Sequence, residues 1–121
     1  MELRGYKDLI VWQKSMDLVK FVYKITDQLP KQEQFVLTSQ MLRAAISIPS
    51  NIAEGWSRNR KLEFIRFFEM AYASSSELET QLLICKDRYT KIDYNQALNL
   101  IVEIQKMLSK MIQNQKLNSN Y

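Results

Sequence analysis

The fold is decided by residues 64–89, which read FIRFFEMAYASSSELETQLLICKDRY. Apolar or small side chains recur through this stretch at alternating spacings of four and three residues. They are Phe64, Phe68, Ala71, Ser75, Leu78, Leu82, Cys85 and Tyr89. Because this repeat matches the 3.6-residue turn of an α-helix, it predicts one long amphipathic helix over residues 60–89. The middle of the apolar face is small, which allows a neighbouring helix to approach closely.

Three more helices are predicted from the same kind of repeat, over residues 6–28, 31–57 and 93–113. Pro30 ends the first of them, because the residue before a proline is pushed out of the helical region. The polar residues 114–121 are predicted to form a frayed tail.

The second helix contains Pro49 in its interior. Proline has no N–H to donate to the carbonyl of Ala45, and its ring crowds that carbonyl, so we predict a kink at this point. Ser50 and Asn51 are candidates to bond the freed backbone groups or to cap a restarted helix.

The first helix carries two apolar stripes where the core of a bundle needs one. One stripe comprises Leu9, Trp12, Met16, Val19 and Tyr23, and the other comprises Val11, Leu18, Val22, Ile25 and Leu29. The surplus apolar surface predicts an interface between subunits. We assign to that interface the side chains of Trp12, Val11, Leu18 and Val22.

Four helices with short connections predict an all-α fold, an antiparallel up-down-up-down four-helix bundle that forms one domain over residues 1–121. The 121 residues include only 2 Gly and 2 Pro. So few turn-forming residues exclude a β-sandwich or a β-barrel, which need many tight turns.

The composition also narrows the function. The chain has no histidine and 1 cysteine, which argues against a zinc site, a histidine-activated nucleophile and a disulfide framework. We therefore expect no catalytic residue, no metal and no cofactor. A net charge of +4 is compatible with an anionic partner. No apolar run reaches the roughly 18 residues of a membrane span, and the start lacks the apolar segment of a signal peptide, so we expect a cytoplasmic protein without membrane contact.

A second stretch carries a family resemblance. Residues 40–55, QMLRAAISIPSNIAEG, resemble the core signature of the four-helix-bundle family named after proteins encoded in intervening sequences of bacterial 23S rRNA genes. Two further blocks agree with it, and the likeness extends from about Tyr6 to Leu108. The blocks are Tyr6, Leu9 and VWQ at 11–13, and Ser75 with ELETQL at 77–82. One departure is Ala73-Ser74, where the family usually has a glycine.

The resemblance implies a homopentamer of bundles. It also implies kinship with the accessory protein of diversity-generating retroelements, a basic pentameric barrel that binds nucleic acid and a reverse transcriptase. The association with ribosomal RNA genes motivates the hypothesis that this chain binds RNA or DNA.

Basic residues collect at one end of the proposed bundle, which we call the basic pole. The basic pole has nine basic and five acidic residues, whereas the opposite pole has five basic and four acidic residues. The nine are Arg4, Lys7, Arg58, Arg60, Lys61, Arg66, Lys106, Lys110 and Lys116. Five copies in a pentamer would multiply this excess and strengthen attraction to phosphates.

Within the basic pole, we take Arg58, Arg60, Lys61 and Arg66 as the candidate nucleic-acid contacts. Basic groups beside aromatic rings are typical of single-strand binding. Phe64 lies on the regular stripe and is therefore expected in the core. For Trp56 three roles stay open: core, subunit interface and stacking platform.

Three charged residues inside the family-like motifs, Arg43, Glu54 and Glu77, are predicted to form a structural ion-pair network, either within one subunit or between subunits. An enzymatic site built on them is the least favoured alternative, because no histidine is present to act as a base. The leading hypothesis is a non-enzymatic homo-oligomer that binds structured RNA. The second is a scaffold for an unidentified protein partner.

Overall fold

Four α-helices form the part of the chain that the computed structural model describes, residues 5–118. They are α1 (Ile10–Thr26), α2 (Ser39–Trp56), α3 (Lys61–Arg88) and α4 (Asn95–Leu117). Residues 5–118 contain no β-strand. The all-α bundle predicted from the sequence is therefore confirmed.

All four helices contribute completely buried side chains to one core. Examples are Leu18 on α1, Ile48 on α2, Phe68 on α3 and Ile104 on α4. Each such side chain stabilises the fold by roughly 1.5–3 kcal/mol relative to an exposed one. The regular stripe of α3 lies on this buried side from Phe64 to Cys85, as its spacing predicted.

Each helix packs against the next along the chain, and α4 also packs against α1. The contacts between α3 and α4 pair residues in opposite order. Glu69 bonds Lys116, whereas Glu79, further along α3, meets Gln105, which lies earlier on α4. These two helices therefore run in opposite directions.

The orientation of α1 differs from the expectation. Val11, Leu18 and Val22 are 0–1% exposed and lie inside the bundle. Their assignment to a subunit interface was wrong, because side chains with no free surface in the single chain cannot reach a second one. The other stripe, which includes Trp12 and Met16, faces outward towards the groove between α1 and α2.

The second helix begins eight residues later than predicted, at Ser39. A 3₁₀ turn at Lys31–Glu33 and a wider π-helical turn at Gln34–Thr38 precede it. The buried Glu33 accepts a hydrogen bond from the Tyr89 hydroxyl at 2.6 Å. Glu33 is buried and Leu37 packs against the core, so these two turns attach the chain before α2 to the bundle.

Helix α2 continues through Pro49, and the kink there stays a prediction. The Ser50 hydroxyl donates to the carbonyl of Ile46 at 2.8 Å, and the Asn51 amide donates to that of Ser47 at 2.9 Å. The two carbonyls belong to the first and second residues after Ala45, whose carbonyl Pro49 leaves without its helical partner. Polar side chains near Pro49 thus bond back to the helix backbone one turn earlier.

The last helix is longer than predicted and runs to Leu117. The Asp93 carboxylate accepts the N–H of Asn95 at 2.9 Å and so stabilises the start of α4. Near the other end, Lys116 bonds Glu69 of α3 at 3.1 Å. The predicted fraying was therefore wrong for residues 114–117, and residues 119–121 lie outside the described part.

None of the helices described in residues 5–118 combines the length and the apolar character that a membrane crossing requires.

Candidate nucleic-acid interface

The turn between α2 and α3 places three of the four candidate contacts around one shallow cavity. The cavity has a volume of about 200 Å³ and lies where the start of α3 meets the end of α4. Its lining includes Arg58, Arg60, Lys61 and, from α4, Gln115. Arg66 does not line it, because it lies six residues further along α3 than Arg60, roughly 9 Å at 1.5 Å per residue.

Arg58 is the most constrained of the four. Its guanidinium lies 2.8 Å from the Glu54 carboxylate and 3.8 Å from that of Glu63, and 5.0 Å from the centre of the Phe67 ring. Two carboxylates thus compensate its charge. These contacts join the end of α2 to the start of α3. They also reduce the positive charge of Arg58 that is available to a phosphate.

Arg60 and Arg66 are exposed and form no ion pair within residues 5–118. Arg60 occupies the position just before α3, with an extended backbone. Lys61 donates a hydrogen bond to the backbone carbonyl of Asn118. Arg60 and Arg66 are therefore the cations of this group that no carboxylate compensates in the described part of the chain.

Trp56 belongs to an aromatic cluster at the end of α2. Its ring centre lies 6.1 Å from that of Phe64, which in turn stacks on Phe68 at 4.1 Å. Phe64 is buried, as its place on the stripe predicted. Trp56 keeps part of its surface but packs on the core, so this cluster has a structural role.

The rest of the basic pole is partly compensated. Lys14 pairs with Glu103 at 2.9 Å, and Lys116 pairs with Glu69 at 3.1 Å. The nine basic and five acidic residues assigned to this pole from the sequence did not include Lys14 and Glu69. Because Lys14 and Glu69 carry opposite charges, including both leaves the net positive charge of the basic pole unchanged. Arg4 lies outside the described residues.

The predicted ion-pair network among Arg43, Glu54 and Glu77 does not form within one chain, and a network between subunits stays a prediction. Arg43 and Glu77 are exposed and make no ion pair within residues 5–118, and Glu54 pairs with Arg58 instead. Arg43 and Glu77 point away from the buried surface between α2 and α3, so neither meets a partner there.

Hydrogen-bonded small side chains join α2 and α3 instead. The Ser47 and Ser74 hydroxyls lie 2.8 Å apart, and the Asn51 amide donates to the Ser47 hydroxyl at 2.9 Å. The run of small residues in α3 was the sequence signal for this contact. It indicated a close approach but did not identify the partner on α2.

The outward stripe of α1 and the facing side of α2 form an apolar surface, which we call the α1–α2 strip. It consists of Trp12, Met16, Val19, Ile46 and Ala53, which line a groove of about 320 Å³. Trp12 is the one interface candidate from the sequence that keeps accessible surface. It is half-buried and makes an edge contact with Tyr6 at 5.3 Å.

The polar groups at the opposite pole are engaged with one another. Arg88 lies 3.4 Å from the Glu33 carboxylate, and its hydrogen bond to Tyr89 raises the pKa of the Arg88 guanidinium.

Burial raises the pKa of the Cys85 thiol, although a hydrogen bond from Tyr94 opposes the shift. Burial, and then the hydrogen bond with Cys85, raise the pKa of the Tyr94 hydroxyl. The thiol is therefore protonated at neutral pH and a poor nucleophile.

Residues 5–118 bring no three cysteine or acidic side chains together in a way that could hold a metal ion.

Comparison with known proteins places these features in a family. The family model of the 23S rRNA-intervening sequence protein matches residues 7–110. The crystal structure of a protein of unknown function from the S23 ribosomal protein family of Bacteroides thetaiotaomicron superimposes with a TM-score of 0.76. The two chains are 26% identical, and the match covers 85% of this chain and 98% of that one.

A second protein is similar to this chain over a small part of its own length. A probable tRNA (uracil-O(2)-)-methyltransferase of Caenorhabditis briggsae is 33% identical over 85 residues, 69% of this chain. The matched region spans 15% of the length of that protein. Since the family model extends over most of the bundle and the solved S23 relative has the same fold, the chain belongs to the 23S rRNA-intervening sequence protein family.

Proposed function

We propose that this chain is a non-enzymatic, cytoplasmic homo-oligomer that binds structured RNA through its basic pole. The proposed assembly is the pentamer that the family resemblance implies, formed through the α1–α2 strip. The lack of histidine in the sequence and the protonated, buried thiol support a role other than catalysis.

The observation that carries the RNA proposal is the pair of uncompensated guanidinium groups at this pole. Arg60 and Arg66 are exposed and have no carboxylate partner in the described chain, and Lys61 lies next to Arg60. Guanidinium groups bind phosphate oxygens in a two-pronged geometry. In an oligomer the same group of cations is repeated, which increases the attraction to a polyanion.

The experiment measures binding of a fluorescently labelled RNA hairpin by anisotropy over a range of salt concentrations. The test variant is Arg60→Gln/Lys61→Gln/Arg66→Gln. Removal of each phosphate-binding cation should lower the slope of log affinity against log salt by roughly one. We therefore expect the triple variant to bind more weakly and with a clearly shallower salt dependence.

The matched control is Lys31→Gln/Lys86→Gln/Lys91→Gln, which removes the same charge from exposed positions at the opposite pole. It should retain most of the affinity of the wild type. Arg58→Gln should have a smaller effect than the loss of Arg60 or Arg66, since Glu54 and Glu63 already compensate Arg58. If the triple variant binds the hairpin as the wild type does, Arg60, Lys61 and Arg66 are not the RNA contacts of the basic pole.

A second candidate function, a scaffold for a protein partner, is favoured by the surface at the opposite pole. Phe35 is 84% exposed and its neighbour Val36 is 58% exposed, both in the π-helical turn before α2. Adjacent exposed apolar side chains are a frequent feature of protein-binding surfaces. A partner retained on the protein after nuclease treatment, and lost from Phe35→Ser/Val36→Ser, would favour the scaffold.

A further inference from the structure

A groove lies between α3 and α4, on the other side of the bundle from the α1–α2 strip. It has a volume of about 490 Å³. Tyr72 lines it from α3, and the α4 side chains that line it include Gln105, Lys106, Ser109, Lys110 and Gln113. A neighbouring cavity of about 380 Å³ shares Tyr72, Ser109 and Gln113, so the depression continues along both helices.

The charge of this groove is positive. Lys106 and Lys110 are exposed, form no ion pair within residues 5–118, and lie one helical turn apart, about 6 Å along the axis of α4. No carboxylate lines the larger cavity. In the neighbouring cavity, Glu69 is held by Lys116 at 3.1 Å. The groove therefore offers two uncompensated ammonium groups to a negatively charged ligand.

An accessible aromatic ring faces the same space. Tyr72 is 38% exposed and lines both cavities, unlike Phe64 of the core cluster, which is 8% exposed. Its backbone carbonyl accepts the Ser75 hydroxyl at 2.6 Å within α3. Around the ring are the amide of Gln113 and that of Gln105, which donates to the Glu79 carboxylate at 3.4 Å. Amides both donate and accept hydrogen bonds, as the edges of nucleobases do.

We propose that the α3–α4 groove binds single-stranded nucleic acid. Tyr72 stacks on a base, Gln105 and Gln113 contact base edges, and Lys106 and Lys110 bind the flanking phosphates. Stacking on an aromatic ring requires an unpaired base, so this geometry selects a single strand over a duplex. The inference rests on the proposed RNA-binding function and deepens it, since it assigns the unpaired segments of a structured RNA to this groove.

The experiment compares two labelled probes by anisotropy, a single-stranded 12-nucleotide uridine oligomer and a blunt-ended RNA duplex without unpaired bases. Loss of one base–aromatic stack weakens binding roughly 5- to 150-fold, so we expect this loss of affinity for the oligomer in Tyr72→Ala. Tyr72→Phe keeps the ring and should stay within about 3-fold of the wild type. Lys106→Gln/Lys110→Gln should lower the salt slope for the oligomer by about 1.4, at about 0.7 per phosphate on a single strand.

The matched control is Lys20→Gln/Lys24→Gln, an exposed lysine pair with the same four-residue spacing on α1. It should leave oligomer binding close to that of the wild type. Circular dichroism checks that each variant is folded.

The outcomes separate this inference from the function on which it rests. If Tyr72→Ala and the Lys106/Lys110 variant bind the oligomer as the wild type does, the groove is not the single-strand site, while duplex binding by the wild type still supports the proposed RNA function. Equal losses in Tyr72→Phe and Tyr72→Ala would also overturn the stacking role. If the wild type binds neither probe, the proposed RNA function itself fails.

Discussion

At the scale of single residues, Gly55 is a position where packing leaves no room for a side chain. It is buried near the end of α2, against Phe67 and Phe68 of α3. A Cβ atom added there would lie 2.8 Å from Cδ1 of Phe68 and 2.9 Å from Cβ of Phe67. Both distances are shorter than normal van der Waals contact, and the Phe67 Cβ is fixed to the backbone of α3. The glycine therefore sets the separation of the two helices at the end that carries the basic pole.

We predict that Gly55→Ala destabilises the protein by about 1–2 kcal/mol. Overpacking a close helix contact costs about 1–3 kcal/mol, and the better helix propensity of alanine offsets part of that loss. Urea unfolding followed by circular dichroism measures the change. Gln40→Ala, at an exposed position on the same helix, should change the unfolding free energy by less than about 0.5 kcal/mol. An unchanged midpoint for Gly55→Ala would mean that α3 can shift without loss.

At the scale of secondary-structure elements, the contact between α2 and α3 is the most extensive of the bundle. Small residues bring the two helices close, and the Ser47 and Ser74 hydroxyls then meet at 2.8 Å. Asn51 donates to Ser47 from one turn further along α2, close to Pro49. A hydrogen bond between two half-buried hydroxyls fixes the register of the helices more specifically than apolar contact alone.

We predict a measurable coupling between these two serines. In a double-mutant cycle with Ser47→Ala, Ser74→Ala and the double variant, the coupling free energy should be about 0.5–1.5 kcal/mol, the usual net contribution of one hydrogen bond. Chemical unfolding of the four proteins supplies the values. The pair Ser57 and Ser74, whose side chains make no contact, should show additive effects. Additivity at Ser47 and Ser74 as well would show that the register does not depend on this bond.

At the scale of the whole molecule, the α1–α2 strip and the α3–α4 groove lie on opposite sides of the bundle. The groove at the strip is lined mainly by apolar side chains, with Ser50 among them, whereas polar and basic side chains outnumber Val102 and Tyr72 in the lining of the α3–α4 groove. A protein that stays monomeric rarely leaves a continuous apolar strip in water. This division supports the proposal that one side assembles the subunits and the other binds the ligand.

We predict that Met16→Glu/Ile46→Glu reduces self-association, because it buries charge in an apolar contact. Light scattering should give the wild type a mass that is a multiple of 14.4 kDa and should give the variant a mass close to that of one chain. The thermal midpoint should rise with protein concentration for the wild type only. Leu83→Glu/Val102→Glu, on the α3–α4 side, adds the same charge and should keep the wild-type mass. Full assembly of the Met16/Ile46 variant would exclude the strip as the interface.

Helical periodicity, which depends only on the local backbone, was enough to predict the four helices, the buried stripe of α3 and the bundle. The family motif predicted membership of the family, and the match of the family model to residues 7–110 confirms it. The same periodicity could not decide which of the two α1 stripes faces inward. That choice depends on the side chains that α2 and α4 present, and these buried Val11, Leu18 and Val22.

The candidate site, too, could be predicted from the sequence only in part. The cluster of basic residues was visible along the chain, because Arg58, Arg60 and Lys61 are close in sequence. Whether a charge is compensated depends on distances between different turns and helices. The folded chain gives Arg58 two carboxylates and leaves Arg60 and Arg66 without one. It also brings Tyr72 beside Lys106 and Lys110, more than thirty positions away. The local sequence pattern therefore determined the helices, and the packing between helices determined which surfaces form. The reason is that contact energies depend on distances in space and not on separation along the chain.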